Sequence, residues 1–332
     1  MKKNTWATHA IAAAVTAMLA ACGGGGDSSG FTGFPITAAP ASSPAPAPPA
    51  PPPPAPPAPA PAPVPATRTV TYESLALTST RADFLAQLNA EGAKGFRFLS
   101  GLSVGSDAAA VYVKDAATTY SYELTSAATS ASALQDELSA QGARGFRWSG
   151  PYAVGGDSVT VYRKDNSSAS TYSYTVSTPA GPGAADFVAQ ATAPGSNGYY
   201  AAFLGLGVAG TSVNLFEKDS QGNAIYGYDL LDAASSSADT LAQMNAEGAK
   251  GSRFRGGYPG KNLYEKDLSQ SATFTFYDLT PASSMADLIA QANAEGAKGN
   301  GYVGNYGGGG TLYFTPANCT GFLCDVRNLF GF

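Results

Sequence analysis

The heptapeptide Asn89-Ala-Glu-Gly-Ala-Lys-Gly95 recurs without change as Asn245 to Gly251 and as Asn293 to Gly299. Ser139 to Gly145 is a near copy, and Thr192 to Gly198 is a degenerate one that carries Pro194. A second marker, Lys-Asp, falls at 114/115, 164/165, 218/219 and 266/267, giving spacings of 50, 54 and 48 residues. A period of that size marks a repeat architecture, in which one supersecondary unit packs on copies of itself. The units run over 68–118, 119–170, 171–223, 224–272 and 273–316, and residues 317–332 form a tail.

Each unit spells out the same order of elements. Thr119-Tyr-Ser-Tyr-Glu-Leu124 alternates with period two and predicts a strand. Ala82 to Asn89 places Phe84, Leu85 and Leu88 on one helical stripe, and Gly92 stands where a left-handed residue would end the helix. Phe96-Arg-Phe-Leu99 alternates again, turns at Gly105-Ser-Asp107 and returns as Ala110-Val-Tyr-Val-Lys114. The equivalent turns at Gly155-Gly156, Ala209-Gly210, Pro259-Gly260 and Gly307 to Gly310 all carry the glycine of a tight hairpin, and their variability predicts exposed tips. The last of them leads into a strand and lacks the lysine and helix start of a phosphate loop. The fold class expected is α+β: five tandem βαββ repeats of about 50 residues, with each unit's last strand pairing with the first strand of the next. An open array and a closed, propeller-like ring are equally compatible with the sequence.

On the residues Leu88-Asn89-Ala-Glu-Gly92-Ala-Lys-Gly95, the unit resembles a small bacterial family, domain of unknown function 4177, whose helix ends Leu-Asn-x-x-Gly before a Gly-Trp-Glu strand. The Trp-Glu of that family is replaced here by Phe96-Arg97, Phe146-Arg147, Ser252-Arg253 and Asn300-Gly301. The resemblance extends over each unit from about Arg68 to Pro316. It implies a βαββ fold and brings no catalytic residues.

Tyr120/Tyr122, Tyr172/Tyr174, Tyr226/Tyr228 and Phe274/Phe276 occupy alternate positions of the first strands, so both members of a pair share a face. That face is expected to be core, with an aromatic platform for sugar rings as the functional alternative. Arg97, Arg147 and Arg253 fall between aromatic neighbours on the second strand and are expected to point outward. There they would either form a solvated face paired with Glu217 and Glu265 or receive the carboxylates of an acidic glycan or peptide. The Lys-Asp pairs read as turn chemistry and edge protection. The acids Asp83, Glu91, Asp239, Glu247, Asp287 and Glu295 recur at equivalent positions, which favours a scaffold or a repeated surface over one catalytic centre. A carbohydrate-active hydrolase working through carboxylates alone is the alternative.

Ahead of the repeats, Lys2 and Lys3 precede an uncharged apolar stretch from Ala10 to Ala21, the layout of a signal peptide and too short for a membrane-spanning helix. It ends Leu19-Ala20-Ala21-Cys22-Gly23, which resembles the bacterial lipobox. That resemblance implies cleavage at residues 1–21, acylation of Cys22 and anchoring in the bilayer. Gly23, in place of the aspartate that retains such proteins in the inner membrane, implies the outer membrane. Several acyl chains, at about 0.8 kcal/mol per buried CH₂, make a stable anchor. Residues 22–67 are expected to form a disordered or extended stalk, Gly/Ser-rich and then proline-rich, with sixteen prolines in the thirty-one residues from Pro35 to Pro65. In polyproline II this proline-rich part would span up to roughly 95 Å.

Removal of the signal leaves 17 basic and 24 acidic side chains, a poor match for a nucleic-acid backbone. The only histidine, His9, goes with the signal. This excludes histidine-dependent triads, histidine metal sites and the usual near-neutral general base. Cys319 and Cys324, in an oxidising compartment, are expected to form a disulfide. No catalytic residue, metal or cofactor is expected. The partners expected are the lipid bilayer and an envelope glycan or protein.

Overall fold

A computed structural model describes residues 68–305 and 310–326. The signal, Cys22, the stalk, Gly307 to Gly309 and the last six residues lie outside this range. Unit 1 consists of β1 (Thr71–Leu75), α1 (Arg81–Ala93), β2 (Arg97–Val104) and β3 (Asp107–Lys114). Unit 2 repeats the order as β4 (Tyr120–Ser126), α2 (Ala131–Ala143), β5 (Arg147–Val154) and β6 (Asp157–Asp165). Unit 3 has β7 (Tyr172–Ser177), α3 (Ala184–Ser196), β8 (Tyr200–Val208) and β9 (Thr211–Asp219). Unit 4 has β10 (Tyr226–Asp232), α4 (Ser237–Gly248), β11 (Ser252–Tyr258) and β12 (Lys261–Asp267). Unit 5 has β13 (Thr273–Leu279), α5 (Met285–Gly296), β14 (Gly301–Asn305) and β15 (Thr311–Ala317). The chain is therefore α+β, with five three-stranded antiparallel sheets, each with its helix.

The expected pairing between units is not what forms. Each sheet has the order of β1-β3-β2, with the unit's last strand at the centre and its first strand added on the far side. Both edges of the last strand are thus filled within its own unit, and the five sheets stay separate. The Lys-Asp pairs, at the end of a central strand, have no edge to protect. Lys114 and Lys164 instead donate to Lys94 O and Arg144 O, 2.8 and 2.9 Å away, capping the C-terminus of their own unit's helix. Asp165, Asp219 and Asp267 accept from a backbone N–H two residues on, each at 2.9 Å, so the turn chemistry holds for them.

Units join through their helices. The buried faces of α1, α2, α3 and α4 pack on β4, β7, β10 and β13 of the following unit, and α5 packs on β1. Phe84 and Leu88 of α1 share a buried cluster with Tyr120 and Tyr122, while Leu288 and Ala292 of α5 share one with Val70 and Tyr72. The core thus lies at the junctions. A unit alone would leave its helix stripe in water, at about 1.5–3 kcal/mol for each large apolar side chain.

The recurrent heptapeptide makes these junctions. Asn245 grips the backbone of Phe276 on the next unit through two hydrogen bonds, with Oδ1 accepting at 2.7 Å and Nδ2 donating at 2.8 Å. Asn89 holds Tyr122 in the same way, and Asn293 holds Tyr72. Gln135 takes the role in α2, bonding Tyr174 O and Val176 N. Gly92, expected to be the left-handed cap, is helical instead. A Cβ there would stand 2.3 Å from Tyr120 O, so the residue is glycine because the next strand's backbone touches the helix. The left-handed residue is Gly95, at φ 89°, in a Schellman ending where Phe96 N donates to Glu91 O.

Candidate functional site

Antiparallel pairing puts Phe98 opposite Tyr112 and Arg97 opposite Val113. Phe98 meets Phe84 of α1 with ring centroids 5.4 Å apart, so Arg97 lies on the sheet face away from the helix, as the alternation requires. That second face is not solvent. Arg97 is 6% exposed and Arg253 2% exposed, and both line a cavity of about 100 Å³ together with Arg147. The expectation of outward arginines is corrected here: the sheets are covered on both faces, and the arginines of units 1, 2 and 4 converge on one interior space.

The C-terminal tail shares that space. After β15 it makes a single 3-10 turn at Phe322–Cys324, with Leu323, Cys324 and Val326 buried. Cys319 and Cys324 are joined by a disulfide across a Cα separation of 5.7 Å. Arg253 Nη1 donates to Leu323 O at 2.6 Å and to Asp325 O at 2.9 Å. Arg97 Nη2 donates to Val326 O at 2.7 Å, and Arg68 Nη1 donates to Cys324 O. The Arg147 guanidinium lies 3.6 Å over the Phe322 ring. Backbone carbonyls of the tail thus accept from arginines that the repeats supply. Gly301 leaves the room in which the tail sits, since a Cβ there would stand 2.9 Å from Val326.

Carboxylates balance part of this charge. Asp115 takes a two-bond fork from Arg97, Nε to Oδ1 at 3.0 Å and Nη2 to Oδ2 at 2.6 Å, and a further bond from Arg68. Burial raises the Asp115 carboxyl, but the two guanidinium groups outweigh it and hold it at about 2. Glu217 accepts from Arg147 Nε at 2.6 Å across the unit 2 to unit 3 junction, so one expected acid partner is realised, inside the fold and not on its surface. Burial nonetheless pushes the Glu217 carboxyl above its ordinary value. Glu265 is reached by Arg255 at 3.4 Å.

The expected core face holds for Tyr120, Tyr122, Tyr174, Tyr228, Phe274 and Phe276, which are buried, while Tyr172 and Tyr226 are half-buried against the same clusters. Tyr122, Tyr174 and Tyr228 are buried, and their hydroxyls accept from Phe98 N, Trp148 N and Ala201 N of the preceding unit at 2.8 Å. Tyr72 does the same for Tyr302 N at 2.7 Å. Arg163 and Arg255 also belong to the site and were not singled out from the sequence, and Asp115, read there only as turn chemistry and edge protection, is the buried partner of Arg97 and Arg68. The available signal for Arg163 was the position before Lys-Asp, which reads Val113, Arg163, Glu217 and Glu265 and lies opposite Arg97, Arg147, Tyr200 and Arg253 of the second strands. Among the described residues, no three His, Cys, Asp or Glu side chains are grouped to hold a metal ion, and no helix is long and apolar enough to cross a membrane.

No protein-family model, no curated protein and no solved structure matches this chain.

Proposed function

We propose that the chain is an envelope lipoprotein, anchored in the outer membrane through acylated Cys22, that presents a ring of five βαββ units on a proline-rich stalk as a non-enzymatic binding or structural module. The observation that carries the ring is the junction between units 5 and 1. Asn293 grips Tyr72 there as Asn245 grips Phe276, and a Cβ at Gly296 would meet Val70 O at 2.0 Å as one at Gly248 would meet Phe274 O. The fifth junction repeats the fourth, so no unit is left as an uncapped end. The lipobox resemblance supports the anchor. The junctional core supports a rigid scaffold that displays a surface to an envelope glycan or protein.

Two measurements test this. Cys22→Ser is expected to abolish acylation and move the protein from the membrane to the soluble fraction; pelleting after a high-salt wash would refute the anchor. A glycan-binding assay with products monitored is expected to show binding without turnover. Turnover would move the protein to the carboxylate-only hydrolases.

A further inference from the structure

Unit 2 differs from its neighbours in one row of its sheet. Where unit 1 has Tyr72-Val113-Arg97 and unit 3 has Tyr174-Glu217-Tyr200 across the strands, unit 2 has Tyr122-Arg163-Arg147. Two arginines therefore stand directly opposite each other on β6 and β5. Like charges so placed repel unless something of opposite sign is bound to them. Both side chains line the interior cavity.

The protein supplies only part of the compensation. Glu217 meets Arg147 through Nε alone, which leaves the two Nη groups of Arg147 without a hydrogen-bond partner among the described residues. Arg147 itself lines the cavity. Arg163 makes no hydrogen bond or ion pair among the described residues; its guanidinium lies 5.2 Å over the Tyr120 ring. Charge in the surroundings points the same way. Arg68 and Arg97 share Asp115, and Arg147, Arg163, Arg253 and Arg255 face Glu217, Glu265 and Asp325, so among the described residues each group carries one positive charge in excess, inside a chain of formal net charge −5. At about 100 Å³ the cavity exceeds several-fold what one buried water needs.

The geometry points to a binding site for a small oxyanion, a carboxylate or phosphoryl group accepting hydrogen bonds from Arg147 Nη and from Arg163. Arg147 is fixed for the purpose, with Nε tied to Glu217 and its guanidinium carbon 3.6 Å from the centre of the Phe322 ring. A fork held in this way matches two oxygens of one anion. Asp325 lines the same cavity from the tail, and its charge is felt by Arg97 and Arg147. It is a tethered competitor for the incoming anion. The site deepens the binding-module reading given above and is independent of the lipid anchor.

Calorimetric titration of the full chain carrying Cys22→Ser, in a chloride buffer at neutral pH, tests the site, with inorganic phosphate in one arm and malonate in the other. Saturable one-to-one binding is expected in at least one arm, and the arm identifies the class. Arg163→Gln is expected to weaken it roughly tenfold to a hundredfold, the range of one charge-assisted hydrogen bond. Arg163→Lys should recover part of the loss, and Arg144→Gln, on an exposed pair, should leave it within about twofold. Asp325→Asn should tighten binding. Absence of saturable binding in both arms, or binding indifferent to Arg163→Gln, would overturn the proposal. So would a chain that binds only once Asp325 is Asn, because the tail carboxylate would then be the resident anion. If glycan or protein binding persists while both anions fail, the module reading survives and this site does not.

Discussion

At the scale of single residues, the repeated glycines have two different reasons. Gly92 is helical and in contact with Tyr120 O, whereas Gly156 has φ 91° and nothing within 4 Å of a Cβ. Helix propensity alone would make Gly92→Ala stabilising by about 1 kcal/mol. The clash should reverse the sign, to a loss of about 1–3 kcal/mol in denaturant unfolding. Gly156→Ala should cost only the left-handed strain of about 1–2 kcal/mol. A stabilised Gly92→Ala would show that the helix does not touch the next strand. A second residue-level feature is confined to unit 1, where Glu73 and Glu91 face each other. Glu73 Oε1 and Glu91 Oε2 find no donor among the described residues unless one carboxyl keeps its proton. Burial first, and the hydrogen bond to Glu91 second, push Glu73 up to about 7. Because the folded chain then holds a proton that the unfolded chain releases near 4.5, this contribution to stability is present below about pH 4.5 and fades as pH rises through 7. Urea midpoints at pH 5 and pH 8 should fall less between the two in Glu73→Gln than in the parent.

At the scale of elements, helices and strands are tied by side-chain amides that recur with the period. Tyr112, Tyr264 and Tyr313 of the central strands donate to Gln87, Gln243 and Gln291 of their own helices at 2.9–3.1 Å, and the asparagines reach the next unit. Asn245→Ala removes two hydrogen bonds to a half-buried strand, worth about 1–3 kcal/mol together. Hydrogen exchange should show lost protection in β13 and the end of α4 with β4 unchanged. Equal loss in every unit would mean that the five units open as a single cooperative body. At the junction of units 3 and 4, Thr192 stands where the asparagine should, and its hydroxyl bonds back to Val188 O. The first subglobal opening is therefore expected there, seen as the weakest-protected inter-unit surface.

At the scale of the whole molecule, the tail and the repeats hold each other's polar groups. Ending the chain after Ala317 would leave Arg97 and Arg253 without the carbonyls they now bond, and should destabilise the repeats and not merely shorten them. Asp115 connects the same elements to pH. Its folded value of about 2 lies below the ordinary aspartate value near 3.8, so its stabilisation is present above about pH 4 and is lost as pH falls toward 2. Val326 N, which donates to Asp115 at 3.3 Å, should lose exchange protection in that window. Asp115→Asn should cost about 3–5 kcal/mol at neutral pH, because Arg97 stays buried without its partner. It should also flatten the acid limb of the stability curve, and an unchanged limb would place the acid sensitivity elsewhere.

Period and alternation were legible in the sequence because they are local: a repeated heptapeptide, strands of period two and a glycine at each hairpin fix the five βαββ units without any long-range information. The tyrosine core and the Cys319–Cys324 link were legible for the same reason. Strand order was not, since an alternating strand carries no mark of the neighbour it will pair with, and the unit's last strand proved central. The faces of Arg97, Arg147 and Arg253 were read correctly as opposite to Phe98, Trp148 and Phe254. Whether that face meets water or protein depends on how units curve and on where residues 317–326 return. Only the packing of helix on following strand, with the tail drawn in against Arg68, Arg97, Arg147 and Arg253, turned an expected surface into an interior cavity.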